Sequence, residues 1–235
     1  MARRIPADRF HELIQAATAV FLEKGFQRTQ MSDVAERLGV AKGTVYLYVG
    51  SKEALFEAAL DHADAPGRIA TPAKLPIATP RPGATLREVR ARIAAAGALP
   101  ELAAALERRR VTDVRRELEG IVRELYAMLS SHRVGIKLID RCAHDYPELA
   151  SVWYGASGRV GLLASLERYL ADRARRRALR PLRDVPATAR MVLETAVYWA
   201  VHRHWDASPQ EFDESSIEAT TVDFITHALL SREDG

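Results

Sequence analysis

Lys42, Gly43, Thr44 and Tyr46 put a cation, a position without a side chain, a hydroxyl and an aromatic hydroxyl along one short stretch. Those groups suit a duplex, because they bind phosphate oxygens and base edges and let the groove approach closely. The surrounding spacing explains how they are presented. Val40, Val45 and Tyr48 are predicted to point inward from a short helix over Lys42–Tyr48, leaving the four polar positions outside. A preceding helix over Met31–Leu38 must cross it closely. Ala35 is small enough for that crossing, and Gly39, four residues later, tolerates the positive φ that ends one helix and starts a tight turn. A first helix over Ala7–Lys24 presents Phe10, Leu13, Ile14, Ala17 and Phe21 at helical spacing and stops at Gly25. Ser51 is placed to cap a fourth helix reaching Ala63, with Glu53 where the helix dipole favours an anion. The pattern is a helix-turn-helix.

The run Gly39-Val40-Ala41-Lys42-Gly43-Thr44-Val45-Tyr46, then Tyr48, then Ser51-Lys52-Glu53-Ala54-Leu55, resembles the DNA-binding domain of the TetR family of bacterial repressors. Gly25-Phe26 and Asp33-Val34-Ala35 match as well, so the resemblance covers the first 60 residues or so. It implies that Tyr46 and Lys52 contact phosphate, that Lys42 and Gly43 face base edges, and that Thr44 and Ser32 add contacts. It further implies a homodimer, joined through a four-helix bundle of C-terminal helices, acting on operator DNA as a repressor under a small-molecule effector. Two positions depart from the family. Ala41 stands where Ser is usual, which removes a helix cap worth about 1 kcal/mol, and Val49 stands where Phe is usual.

The 235 residues, 48% of them hydrophobic, can bury a full core in one small and one larger domain. Cys142 is the single cysteine, which excludes an internal disulfide and suits a reducing, cytoplasmic setting. No apolar run reaches the roughly 18 residues of a membrane span, and Arg3 and Arg4 are not followed by an apolar leader core. A net charge of +3 and a pI of about 9.1 are compatible with DNA binding without arguing for it. The runs Arg108–Arg110, Arg115–Arg116 and Arg173–Arg177 read as solvated faces of amphipathic helices.

Residues Ala65–Thr85 hold five of the eleven prolines and no acidic or aromatic residue. That composition predicts an extended linker, dividing the chain into a DNA-binding domain at 1–64, a linker at 65–85 and a helical ligand-binding and dimerisation domain at 86–235. Helical segments are predicted at 86–96, 100–109, 112–132, 134–144, 147–176, 187–206 and 213–231, with no strand pattern, so the fold class is all-α. Two stripes are candidates for the dimer interface or the core: Ala189, Val192, Ala196, Trp199 and Arg203, and Ile217, Thr220, Thr221, Phe224, Ala228 and Leu229. Tyr126, Met128, Trp153, Tyr154, Tyr198, Trp199 and His202 are the candidate lining of a pocket for a small apolar or aromatic effector.

On a helix His202 and His204 point to different faces and do not readily share one metal ion, whereas His202 and Asp206 could, with a third ligand such as Glu194 or His144 drawn from far away; a packed or pocket-lining histidine is the simpler reading. Cys142, His144 and Asp145 contain nucleophile-site residue types, but a buried inert thiol is the simpler reading. No cofactor motif is present, and no enzymatic activity is expected. The competing readings are a ligand-independent DNA binder and an all-α enzyme fused to a DNA-binding module. Effector coupling is expected to pass through packing of helix 4 against the helices around 112–144 and not along the linker, so removing a few residues within Thr71–Thr79 is expected to leave both DNA affinity and effector-driven release nearly unchanged.

Overall fold

A computed structural model describes residues 8–156 and 158–231; Arg3, Arg4 and Ala7 lie outside them. The described residues form twelve α-helices: α1 Arg9–Lys24, α2 Met31–Leu38, α3 Lys42–Val45, α4 Lys52–His62, α5 Ala84–Ala96, α6 Pro100–Glu107, α7 Val114–Ser131, α8 Arg133–Ala143, α9 Pro147–Trp153, α10 Arg159–Arg175, α11 Val185–Ala200 and α12 Glu214–Leu229. A 3₁₀ turn spans His202–Trp205, and no strand is formed among the described residues beyond one isolated bridge. The all-α expectation holds. The chain falls into two compact units, one of residues up to Arg92 with Val134–Trp153, the other of Ile93–Arg133 with the residues from Tyr154 onward. The sequence-drawn boundaries followed composition. Contacts instead group 65–85 and 134–153 with the helix-turn-helix.

The first unit is built around stacked aromatic rings. Phe10, Phe21, Phe26, Tyr48 and Phe56 are buried, and the Phe56 ring meets those of Phe21 and Phe26 edge-on, each at 5.2 Å between centroids. Gly25 ends α1 with φ 82°, and its close neighbour is the Asp145 carboxylate, which accepts the Phe26 N–H at 3.0 Å. Tyr146 stacks on Phe26 at 4.6 Å, and Arg141 donates to the Glu23 carbonyl at 2.8 Å. At the other end of α8, Asp64, just past α4, accepts the N–H groups of Val134 and Gly135 at 2.8 and 3.0 Å. The carboxylate satisfies donors that α8 cannot satisfy itself. α8 is therefore clamped at one end to the end of α4 and at the other to the α1–α2 turn.

The proline-rich segment is extended, as its composition predicts, but it is not a free tether. Ile69 is buried and donates its N–H to His11 Nδ1 at 3.2 Å, while Arg68 pairs with Asp8. Further on, Ile77 forms a parallel bridge with Val49: its N–H donates to the Tyr48 carbonyl, and its carbonyl accepts the Gly50 N–H, both at 2.8 Å. A deletion within Thr71–Thr79 that removed Ile77 would take this bridge with it. Prolines along the strap cost nothing there, because its own N–H groups have no helical ladder to serve.

The second unit packs α7, α11 and α12 together, with α6 and α10 alongside. Its core is mainly aliphatic, including Leu118, Ile121, Val122, Leu125, Leu193 and Ile225. From Pro147 onward the chain departs from the sequence reading in three places. The segment predicted at 147–176 is two helices, because Gly155 and Gly158 break it between Trp153 and Arg159. α11 ends at Ala200 and continues as the 3₁₀ turn, so His202 and Asp206 do not share a helix. Arg173 is not a solvated cation: it is fully buried, donating through Nε to Glu117 at 2.7 Å and through its Nη2 to the Ala105 carbonyl. Burial alone would discourage its charge, yet the Glu117 carboxylate outweighs that and holds its pKa above the usual value. Of the two alternatives for the stripes of α11 and α12, core describes Ala189, Val192, Ala196, Ile217, Thr221 and Leu229, which are buried within this one chain. The exposed apolar side chains on these two helices are Met191 and Tyr198 of α11 and Phe224 of α12, with Phe224 64% exposed.

Candidate nucleic-acid interface

The turn between α2 and α3 forms as its residues require. Gly39 adopts φ 67°, ψ 36°, and the Val40 N–H closes on the Ala35 carbonyl at 2.9 Å. Nothing lies near a side chain built on Gly39, so the glycine is needed there for its backbone and not for space. Ala35 is buried under the crossing. At the start of α2 the Gln30 N–H donates to Asp33 at 2.8 Å; that hydrogen bond, followed by Lys24, holds the Asp33 carboxyl below its usual pKa.

α3 itself is shorter than predicted. Regular helix covers Lys42–Val45, after which looser turns carry the chain to Val49 through the Leu47, Tyr48 and Val49 N–H groups. Ala41 offers no side-chain cap, as its identity predicts. Val45, Tyr48 and Val49 are buried, whereas Lys42, Gly43 and Tyr46 are exposed and Thr44 is half-buried. Val40 is only half-buried. No atom of the protein comes within 4 Å of a side chain built on Gly43, so its own fold does not require a glycine there. Leu47, 50% exposed beside Tyr46, belongs to the same outer surface and was not singled out from sequence; an apolar residue between two tyrosines reads there as core.

Ser32 is half-buried and donates to the Gln30 side-chain oxygen at 3.3 Å. Ser51 caps α4 by accepting the Ala54 N–H at 3.2 Å. Lys52 behaves differently from the expectation. Its Nζ donates to the carbonyls of Phe26 and Gln27 at 2.9 and 3.2 Å and lies 4.6 Å from the centre of the Phe26 ring. In this conformation it staples α4 to the α1–α2 turn and does not extend from the surface.

The candidate effector residues are divided between the two units. Trp153 lies in the first unit, its indole N–H donating to Asp140 at 3.1 Å. Tyr126, Met128, Tyr154, Tyr198, Trp199 and His202 lie in the second. Trp199 meets the rings of Tyr198 and Phe212 edge-on at 5.3 and 5.9 Å, and the exposed Tyr198 hydroxyl donates to Asp206 at 2.6 Å. Tyr126 is buried, and among the described residues its hydroxyl meets no partner at full hydrogen-bond geometry, although the Arg203 guanidinium lies near enough to act on it. Burial first, and Glu214 second, raise its pKa. Around it, Glu214 pairs with Arg133 and Arg203 and lies 3.4 Å from His204. Sequence reading named Tyr126 but missed Arg133 and Glu214, which are 81 residues apart and meet only through tertiary packing. Cys142 is buried, with its thiol pushed up to about 12 chiefly by that burial, consistent with an unreactive sulfur.

Residues 13–59 match the family model described as bacterial regulatory proteins, tetR family. The HTH-type transcriptional regulators YvdT and YfiR of Bacillus subtilis are 42% identical over 50 residues and 49% identical over 45. Those matches cover 21% and 19% of this chain and only 26% and 22% of the relatives. The ketosteroid transcriptional regulator KstR2 of Mycobacterium tuberculosis shares the fold over 97% of this chain and 98% of its own, at TM-score 0.56 and 14% identity.

Proposed function

We propose that this chain, whose N-terminal domain is that of the TetR family of bacterial regulators, binds operator DNA through α3 and represses transcription until a small molecule releases it. One observation carries the reading. The buried positions Val45, Tyr48 and Val49 fix the inner face of the α3 turn, and so Lys42, Gly43, Thr44 and Tyr46 line its outer face, where a groove could meet them. Ser32 adds a contact from α2, and Lys52 would contribute one only after leaving the carbonyls that hold it.

The assembly we propose is a homodimer on a palindrome, joined through α11 and α12. The support is the exposed apolar face carrying Met191, Tyr198 and Phe224, which a monomer would leave in water. A two-fold dimer places two recognition helices about 34–36 Å apart, one turn of the duplex, or further for wider half-sites. The effector site proposed is apolar and aromatic, in the second unit around Tyr126, Met128, Tyr154, Tyr198, Trp199 and His202, with the buried Tyr126 hydroxyl as a polar anchor. An effector can release DNA only through a difference in its affinity for two conformations. The route we favour runs through α8, which meets the end of α4 at Asp64.

The test is selection of a binding site from a random duplex pool, followed by footprinting and light scattering. A two-fold symmetric footprint from a dimer is the expected result, and Phe224→Glu should convert the protein to monomer and weaken binding. A monomer at micromolar concentration with an asymmetric footprint would overturn the dimeric reading.

A further inference from the structure

We infer that the proline-rich strap is a second DNA-contacting edge of the first unit, in which Lys74 and Arg81 hold backbone phosphates beside the groove entered by α3. The inference rests on the proposed DNA-binding function and extends it to a segment outside the helix-turn-helix. Three observations carry it.

The strap is fixed at the recognition turn and nowhere else so tightly. Its Ile77 exchanges two backbone hydrogen bonds with Tyr48 and Gly50, and a side chain built on Gly50 would meet Thr79 Oγ1 at 3.1 Å. Gly50 immediately precedes Ser51, the cap of α4. Ile77–Thr79 therefore borders the surface that the exposed Tyr46 and Leu47 also border.

The composition of the strap is one-signed. Residues 65–85 contain Arg68, Lys74 and Arg81 and no acidic residue. Arg68 is engaged by Asp8, whereas Lys74 and Arg81 are exposed. Lying three residues before and four after Ile77, their backbones stand within about 10 and 14 Å of Ile77, which is itself bridged to the recognition turn. Long cationic side chains there can reach phosphates flanking a groove-bound α3.

The anchoring also answers a need. Lys52, the cation expected to grip phosphate from the start of α4, is turned inward onto the Phe26 and Gln27 carbonyls. The strap restores positive charge at that border. Val49, one of the two positions where this chain departs from the residue usual in the family, is the one that bridges to Ile77.

The experiment uses the full chain and a fluorescent 30-base-pair duplex of random sequence, with anisotropy measured from about 50 to 250 mM NaCl. Lys74→Ala with Arg81→Ala should weaken binding about tenfold or more at low salt and flatten the dependence of log affinity on log salt by about 0.9 for each phosphate no longer neutralised. Arg87→Ala with Arg90→Ala, the same charge change on the exposed side of α5, should leave both quantities near wild type. Ile77→Pro keeps the charges but removes the N–H that anchors the strap, and should weaken binding as well. Wild-type slopes in the Lys74/Arg81 variant, or equal losses in the Arg87/Arg90 control, would overturn the inference while leaving α3 as the DNA contact. Failure of the wild-type protein to bind any duplex would overturn the parent reading and the inference together.

Discussion

The two compact units solve opposite problems. The first buries aromatic rings and has no fully buried charged side chain among its described residues, with α3 and the strap displaying cations outward. The second, by contrast, holds both of the charged side chains that are buried among the described residues, Glu117 and Arg173. A buried guanidinium is tolerable only because two carboxylates, Glu117 and the adjacent Asp172, and a backbone carbonyl replace water, so this region depends on a buried ionic cluster in a way the first does not. Outward chemistry can be specified by short spacings, whereas inward chemistry needs partners from distant parts of the chain.

That contrast breaks most sharply at Glu117. Glu117→Ala leaves the buried Arg173 with Asp172 alone and should cost about 3 kcal/mol, the lower end for a broken buried pair, seen as a fall in thermal midpoint by circular dichroism. A double variant, Glu117→Leu with Arg173→Met, should recover much of that loss, because replacing both members removes the uncompensated charge. If Glu117→Ala melts like wild type, the pair does not hold the second unit together.

Lys52→Ala tests the first unit on a smaller scale. Loss of a charged donor to two carbonyls should cost about 1.5 kcal/mol and lower the denaturation midpoint, while the slope of log affinity against log salt stays unchanged. A flattened salt dependence with unaltered stability would instead return Lys52 to the phosphate.

The smallest effect expected is acidic. Burial first, then Arg133 and Arg203, lower the pKa of His204 from its ordinary 6.5. The unfolded chain therefore binds the proton more readily, so stability is complete above about pH 6.5 and declines as the pH falls below it. His204→Asn should reduce that decline in denaturant melts between pH 7 and 5, and an unchanged pH profile would contradict the assignment.

The same contrast explains what could be read from the residues alone. Gly39, Ala35, Ser51 and the α3 face were legible because each acts within a few residues of its partner. The lengths of α7, α8 and α12 were close to their predicted spans for the same reason. The Glu117–Arg173 pair, the Asp64 clamp on α8 and the Ile77–Val49 bridge were not, since their partners lie 56, 70 and 28 residues apart. An arginine run reads as a solvated face unless the distant carboxylate is known. The prolines of the strap correctly excluded helix, but composition could not show where an extended chain would be pinned.

Gly43 gives the most direct test that α3 enters a DNA groove. The fold has room for a side chain there, so Gly43→Ala should leave stability equal to wild type or raise it by up to about 1 kcal/mol. Anisotropy against the selected operator, with Gly43→Ala and Tyr46→Ala side by side, should nonetheless show each losing about tenfold or more in affinity, a change of about 1.4 kcal/mol or greater. Operator affinity equal to wild type in both variants would contradict the account at its centre.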